Sequence, residues 1–260
     1  MKYSVITYVM GDYEILKEIN FDPFQETPEV EYICVTDNPN IKSNTWKVFY
    51  DKDLDKEELT PFDRVMLVRY NLFKYCKNDI CLRLDASMQL NKPLDVLIKK
   101  FIDGNYFGCL LLHPDRCYII PEYTSWVLFR EFNPIEAMIS MMNMQIAFNY
   151  DFRKKSLIQQ GISINRKLNI IEDINKKMLF YCKNNDGHFT RLDQTIFTAL
   201  INTEYNNLNW LFIDNSIFTE DGGGYLTMFT HGGNEIINFK PENFIIPFFN
   251  DKEVEVFKLP

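Results

Sequence analysis

No stretch of this sequence reaches the roughly 18 apolar residues that a membrane-spanning helix needs. The apolar opening from Met1 to Met10 is short, and Gly11-Asp12 interrupts it with no cleavage site beyond, so no secretory leader is expected. Basic charge is scarce: 28 Lys and Arg face 36 Asp and Glu, for a net charge of −8. That balance argues against a surface built for bare nucleic acid, although a pocket for a single diphosphate needs only a few local cations. The six cysteines (Cys34, Cys76, Cys81, Cys109, Cys117 and Cys182) lack the paired spacing of a metal site. Most lie inside apolar runs, as reduced core cysteines of a cytoplasmic protein do. There is no P-loop, no G-x-S-x-G elbow, and no G-x-G-x-x-G after the first strand. The run Gly222-Gly223-Gly224 precedes a strand rather than a helix, so it forms no phosphate cradle at a helix terminus.

With 46% hydrophobic and 25% charged residues over 260 positions, the chain has enough apolar material for a sizeable core. Its 22 Phe and 14 Tyr suit a sheet-based core and a site that stacks rings. Strands are predicted at 3–10, 31–36, 45–50, 80–84, 106–112, 161–165, 210–214 and 225–230. Helices are predicted at 13–19, at 61–76 with Pro61 in first position, from Pro93 to about Phe101, and at 169–182. A further helix follows Asp193, and a Met-rich one, read as core, runs from Asn133-Pro134 to about Tyr150. The alternation predicts a single α/β domain with a mostly parallel central sheet flanked by helices. No repeat or low-complexity linker marks a second domain. Ligands of such sheets lie beyond the carboxyl ends of the strands.

The candidate residues follow from that rule. Asp85 ends the strand in RLDAS, two residues before the hydroxyl of Ser87; together they offer oxygen ligands to a divalent cation clamping a diphosphate. The plainer reading is a turn cap. His231, flanked by glycine, is either a surface histidine or a third ligand in a mixed site. Asp193-Gln194 opens a helix, where Asp is a favoured N-cap; the functional alternative is a grip on a sugar or a general base. Arg64, Arg69 and Lys74 lie on or beside one helix, and Arg64 and Arg69, five positions apart, share no stripe. His113, Asp115, Arg116 and Glu122 form the densest polar cluster, just after the fifth strand.

The ordered segments TYVMGDYEIL, EYICVTDNP with TW, DRVMLVRYNLFKY, CLRLDASMQL, LLHPDRCYIIPEY, GISINRKLN and RLDQTIF span residues 5 to about 200. They resemble the GT-A glycosyltransferase-like family long catalogued as a domain of unknown function, with bacterial and plant cell-wall members. The DQ pair and the late histidine are more distantly similar to glycogenin-type transferases. The resemblance implies a single GT-A, Rossmann-like domain, set at residues 1–234; residues 235–260, which lie outside it, are expected to pack on the same domain as an extension or to contact a partner. It implies a nucleotide-sugar donor of the UDP type near Gly11, Asp12, Thr36, Asp37 and Arg64, with Arg69, His113, Arg116 and Glu122 on the same edge. A diphosphate and a divalent metal, Mn or Mg, would lie near Asp85, and the sugar near Asp193 and Gln194. The acceptor would be a glycan or glycoconjugate, in surface polysaccharide assembly. Ser87 stands where the family motif carries a second Asp, which puts strict metal dependence in question. Two other classes remain open: a non-catalytic sugar-binding remnant, and a hydrolase or nucleotidyltransferase using Asp85 and His231.

Overall fold

Five parallel and two antiparallel pairings join eight strands into one central sheet. The computed structural model describes residues 1–12, 14–112, 124, 134–150, 157–183, 187, 192–218, 224–237, 248–249, 252–253 and 255–259. Its strands are β1 (Ser4–Val9), β2 (Glu31–Thr36), β3 (Lys47–Tyr50), β4 (Ile80–Leu84), β5 (Met88–Leu90), β6 (Gly108–Leu112), β7 (Ile158–Arg166), β8 (Trp210–Ile213), β9 (Leu226–Met228), β10 (Phe248–Phe249), β11 (Lys252–Glu253) and β12 (Val256–Phe257). Its α-helices are α1 (Pro23–Glu26), α2 (Pro61–Arg69), α3 (Asp95–Asp103), α4 (Pro134–Phe148), α5 (Asn169–Tyr181) and α6 (Asp193–Thr203). The sheet order is β12-β8-β6-β7-β4-β1-β2-β3. The chain is therefore α/β, with a mostly parallel sheet flanked by helices.

Strand periodicity explains why both faces are covered. In β1 and the residues flanking it, Tyr3, Val5 and Val9 join the core that holds Leu97, Ile98 and Phe101 of α3. Ile6, Tyr8 and Met10 point the other way, into a core shared with Val68 of α2 and with Leu72. On that second face, beyond β4, α4, α5 and α6 pack over β6 and β8 through Met144, Phe148, Ile174, Met178, Leu200 and Ile201.

α2 is shorter than the 61–76 predicted. It opens on a capping box between Thr60 and Asp63 with Pro61 in the first turn, and it stops at Arg69. Asn71 Nδ2 donates to the Leu67 carbonyl at 2.7 Å, and a single 3₁₀ turn, Leu72–Lys74, follows. No helix forms at 14–19, because the polar side chains there bond to distant loops instead of lining a helix face. The Met-rich α4 is only half core: Met144 is buried, whereas Ile135, Met138, Ile139, Met142 and Ile146 are exposed. Beyond the predicted elements, β5 forms an antiparallel ribbon with β9, which lies within the strand predicted at 225–230, and β12 adds an edge strand to β8. No described helix is long and apolar enough to cross a membrane.

Candidate functional site

β1, β2 and β4 run parallel, so Gly11, Asp37 and Asp85 all emerge at the same edge of the sheet. β7 runs the opposite way and brings its first residues, Ile158 to Gln160, to that edge; the Asp85 N–H donates to the Gly161 carbonyl at 2.8 Å. A bulge where β7 meets β6 breaks the alternation there. The β5–β9 ribbon adds a third component: the Phe229 N–H donates to the Ser87 carbonyl at 2.8 Å, which draws the segment carrying His231 toward the strand-end residues.

Below this edge lies a largely buried charged network that joins five elements. Ile6 and Arg83 are register partners in β1 and β4, so Tyr8, Arg83 and Asp85 share one sheet face. The Tyr8 hydroxyl donates to Asp85 Oδ1 and accepts from Arg69 Nε (3.1 Å), Arg69 Nη2 (3.0 Å) and Arg83 Nη1 (3.4 Å). Arg69, the last residue of α2, forms ion pairs with Asp193 Oδ2 through Nη1 and with Asp85 Oδ1 through Nη2 at 3.1 Å. Arg83, almost fully buried, donates from Nε to Ser163 Oγ at 3.1 Å and from Nη2 to Gln160 Oε1 at 3.2 Å. Two arginines thus balance two aspartates, with Arg69, Arg83 and Asp193 buried and Asp85 partly so. Burial raises the Tyr8 hydroxyl to about 12, so it stays protonated and donates at neutral pH. Burial also pushes the Asp193 carboxyl up, against the opposing pull of Arg69.

Asp193 is not the helix cap that its position predicts. Leu192 occupies the N-cap without a side-chain cap bond, and the Asp193 carboxylate turns to Arg69 instead. Gln194, next in α6, accepts the Gln160 N–H on Oε1 at 3.4 Å.

A second cluster holds the neighbouring turn. Asp37 accepts the Gly11 N–H on both oxygens, at 2.9 and 3.1 Å, and forms an ion pair with Arg64. Gly11 has φ +57°, a conformation that favours glycine, and an added Cβ would also meet Pro61 Cγ at 3.4 Å. Thr36 closes the same turn by accepting the Asn38 N–H at 3.1 Å, while Asp12 is exposed. Arg64 and Arg69 therefore both face the strand-end edge, each held by aspartate, whereas Lys74 pairs with Asp51 away from that network.

The irregular run 14–19 binds the rim together. Glu14 accepts from the Gly232 N–H at 3.1 Å and lies 2.5 Å from His231 Nδ1. Lys17 Nζ donates to Gly233 O at 2.9 Å and to Asn234 Oδ1 at 2.6 Å. Glu18 accepts from Ser43 Oγ (2.7 Å), from the N–H groups of Asn44 and Thr45, and from Thr45 Oγ1. Partial burial works to raise the Glu18 carboxyl, but these bonds outweigh it and hold it below its ordinary value. A depressed pKa contributes stability that is present above the unfolded value, about 4.3, and is lost as pH falls through the folded one. Glu18→Gln is thus expected to lower the urea midpoint at neutral pH and to flatten its decline below about pH 4.3; an unchanged acid profile would contradict this.

Among the described residues, four polar side-chain atoms near this edge are buried without a hydrogen-bond partner: Arg64 Nε, on the Asp37 side, and Ser87 Oγ, Gln159 Oε1 and Gln194 Nε2. Contacts link the last three. Gln159 Nε2 lies 3.9 Å from Met228 Sδ, Met228 pairs with Met88 next to Ser87, and the Gln194 amide meets Gln160. Of the residues expected at a mixed metal site, Asp85, Ser87 and His231, the first is held by Arg69 and Tyr8 and the last by Glu14. Among the described residues, no three His, Cys, Asp or Glu side chains are placed to hold an ion. His113, Arg116 and Glu122, with Asp115, lie outside the described residues. Sequence reasoning missed Tyr8, Arg83, Gln159 and Gln160.

No family model matches the chain, and no curated protein does. Among solved structures, the chain is similar to apo mouse xyloside xylosyltransferase 1 at 11% identity and a TM-score of 0.47, with 95% of this chain and 100% of that one covered.

Proposed function

We propose that the chain is a GT-A-type glycosyltransferase that moves a sugar from a UDP-type nucleotide-sugar to a glycan or glycoconjugate acceptor in surface polysaccharide assembly. The observation that carries this reading is that Ser87, Gln159 and Gln194, near the strand ends where Asp85 and Asp193 also lie, each keep a buried polar atom without a partner among the described residues. Gln159 Oε1 can only accept, Gln194 Nε2 can only donate, and Ser87 Oγ does both. A buried polar atom left unpaired costs about 1–3 kcal/mol, so such a set is suited to a ligand that supplies the missing bonds. A sugar, with hydroxyls that donate and accept at once, has that chemistry. The order of the sequence motifs and the position of the set beyond the strand ends support the same reading.

In this scheme Gln159, Gln194 and Ser87 orient the sugar. Asp193, fixed by Arg69, supplies negative charge beside the carbon that becomes oxocarbenium-like. Asp37 and Gly11 shape the turn that receives the nucleoside. The donor set at Asp85, Ser87 and His231 does not fit a resident divalent ion, so no step is assigned to one.

A thermal-shift screen of nucleotide-sugars, in EDTA and with manganese, tests the proposal. A UDP-sugar at a hundred times its Kd should stabilise the protein by about 2.7 kcal/mol in either buffer. No shift with any nucleotide-sugar at millimolar concentration would remove the donor site. A shift that appears only with manganese would instead overturn the metal assignment.

A further inference from the structure

Cys76 and Cys81 are far apart in their local settings yet meet in the core. Cys76 follows the 3₁₀ turn after α2, where its N–H donates to the Leu72 carbonyl at 3.2 Å. Cys81 lies in β4, paired with Ser4 of β1 on one side and Asn165 of β7 on the other. Their sulfurs are 2.8 Å apart, inside the apolar cluster of Ile6, Ile33, Val35, Leu54, Val68 and Leu72. Among the described cysteines no other sulfur–sulfur approach occurs, and Cys34, Cys109 and Cys182 are each buried and free. Cys76 is 8% exposed and Cys81 fully enclosed, so a small reagent meets Cys76 first.

We infer that Cys76 and Cys81 form a thiol-pair modification site, oxidised to an intramolecular disulfide by low-molecular-weight disulfides. Cys76 Sγ attacks one sulfur of the external disulfide, releasing one small thiol and leaving a mixed disulfide on Cys76. Cys81 Sγ then attacks the Cys76 sulfur, giving up its proton as the second small thiol leaves. Two protein thiols become one disulfide, and the external disulfide is reduced to two thiols. Burial and the neighbouring Cys76 raise the Cys81 thiol above its ordinary value, so Cys81 is a poor nucleophile toward external reagents and its later attack on the Cys76 sulfur is slow. Reduced core cysteines remain the resting state, and the bond is a transient response to oxidant. It ties the segment that follows α2 and Arg69 to β4, which carries Arg83 and leads to Asp85.

The sequence makes the test direct. Trypsin cuts after Lys74, Lys77 and Arg83, which puts Cys76 and Cys81 on separate peptides, 75–77 and 78–83. The full-length protein, held folded in excess oxidised glutathione, should lose about 2 Da at this pair and yield those two peptides cross-linked, reversibly by dithiothreitol. Cys81→Ala should stop at one glutathione adduct on Cys76, and Cys76→Ala should leave Cys81 reduced. A circular-dichroism melt of each variant checks that it is folded. A wild-type protein that stays reduced, keeps an unresolved adduct on Cys76, or cross-links other cysteines would overturn the inference. None of these outcomes depends on the transferase reading.

Discussion

Replacing Arg69 with methionine is expected to lower the unfolding free energy by about 3–5 kcal/mol, the typical cost of removing one partner from a buried charge set. The size of the effect follows from what remains. Asp85 and Asp193 would face each other with only Arg83 near, and Tyr8 would lose two of the donors to its hydroxyl. An exposed pair would cost far less, about 0–1 kcal/mol, but Arg69 and Asp193 are each only 9% exposed at the side chain. Urea denaturation of Arg69→Met checks the figure. The double variant Arg69→Met/Asp193→Leu should recover much of the loss, because it removes an uncompensated charge along with its partner. A loss below about 1 kcal/mol in the single variant would show that water screens the network.

The main frame of the fold is legible because it rests on local pattern. YSVITYV, EYICVT, ICLRL and GCLLL are continuous apolar runs of the kind that parallel strands, buried on both faces, require. What the pattern does not carry is pairing. Nothing local tells GISIN to run antiparallel between β4 and β6, or MQL to pair with LTM across more than a hundred residues. The same limit hid half of the candidate site. Tyr8 meets Asp85 over 77 positions, Arg83 meets Ser163 over 80, and Arg69 meets Asp193 over 124. One local signal does point to the network: an arginine inside the apolar strand ICLRL has to find buried partners, since an unpaired charge there is prohibitive. The cap reading of Asp193 fails for a related reason. Aspartate at a helix start is normally a cap, and only the distant arginine reveals otherwise.

That correction changes what Asp193→Asn is expected to do. Asparagine keeps the shape of the side chain and one oxygen for Arg69, so the fold should survive. Arg69 keeps Asp85 at 3.1 Å, and the stability loss should therefore be smaller than in Arg69→Met. Transfer should suffer far more. On the transferase reading, the carboxylate is a preorganised negative charge beside a carbon that turns positive only in the transition state, and its removal should cut kcat by about 100-fold or more with little change in donor affinity. Gln194→Ala, which removes a donor to the sugar, should act mainly on sugar selectivity and KM. The pH profile separates a chemical role from a structural one. Burial places the Asp193 carboxyl above its ordinary value, so the ionised form is lost at a higher pH than for an exposed aspartate. Wild-type kcat should fall as pH drops through that raised value, and this acid limb should vanish in Asp193→Asn, whose amide does not titrate. A variant that is less stable but keeps both kcat and the acid limb would leave Asp193 as the structural counter-ion of Arg69.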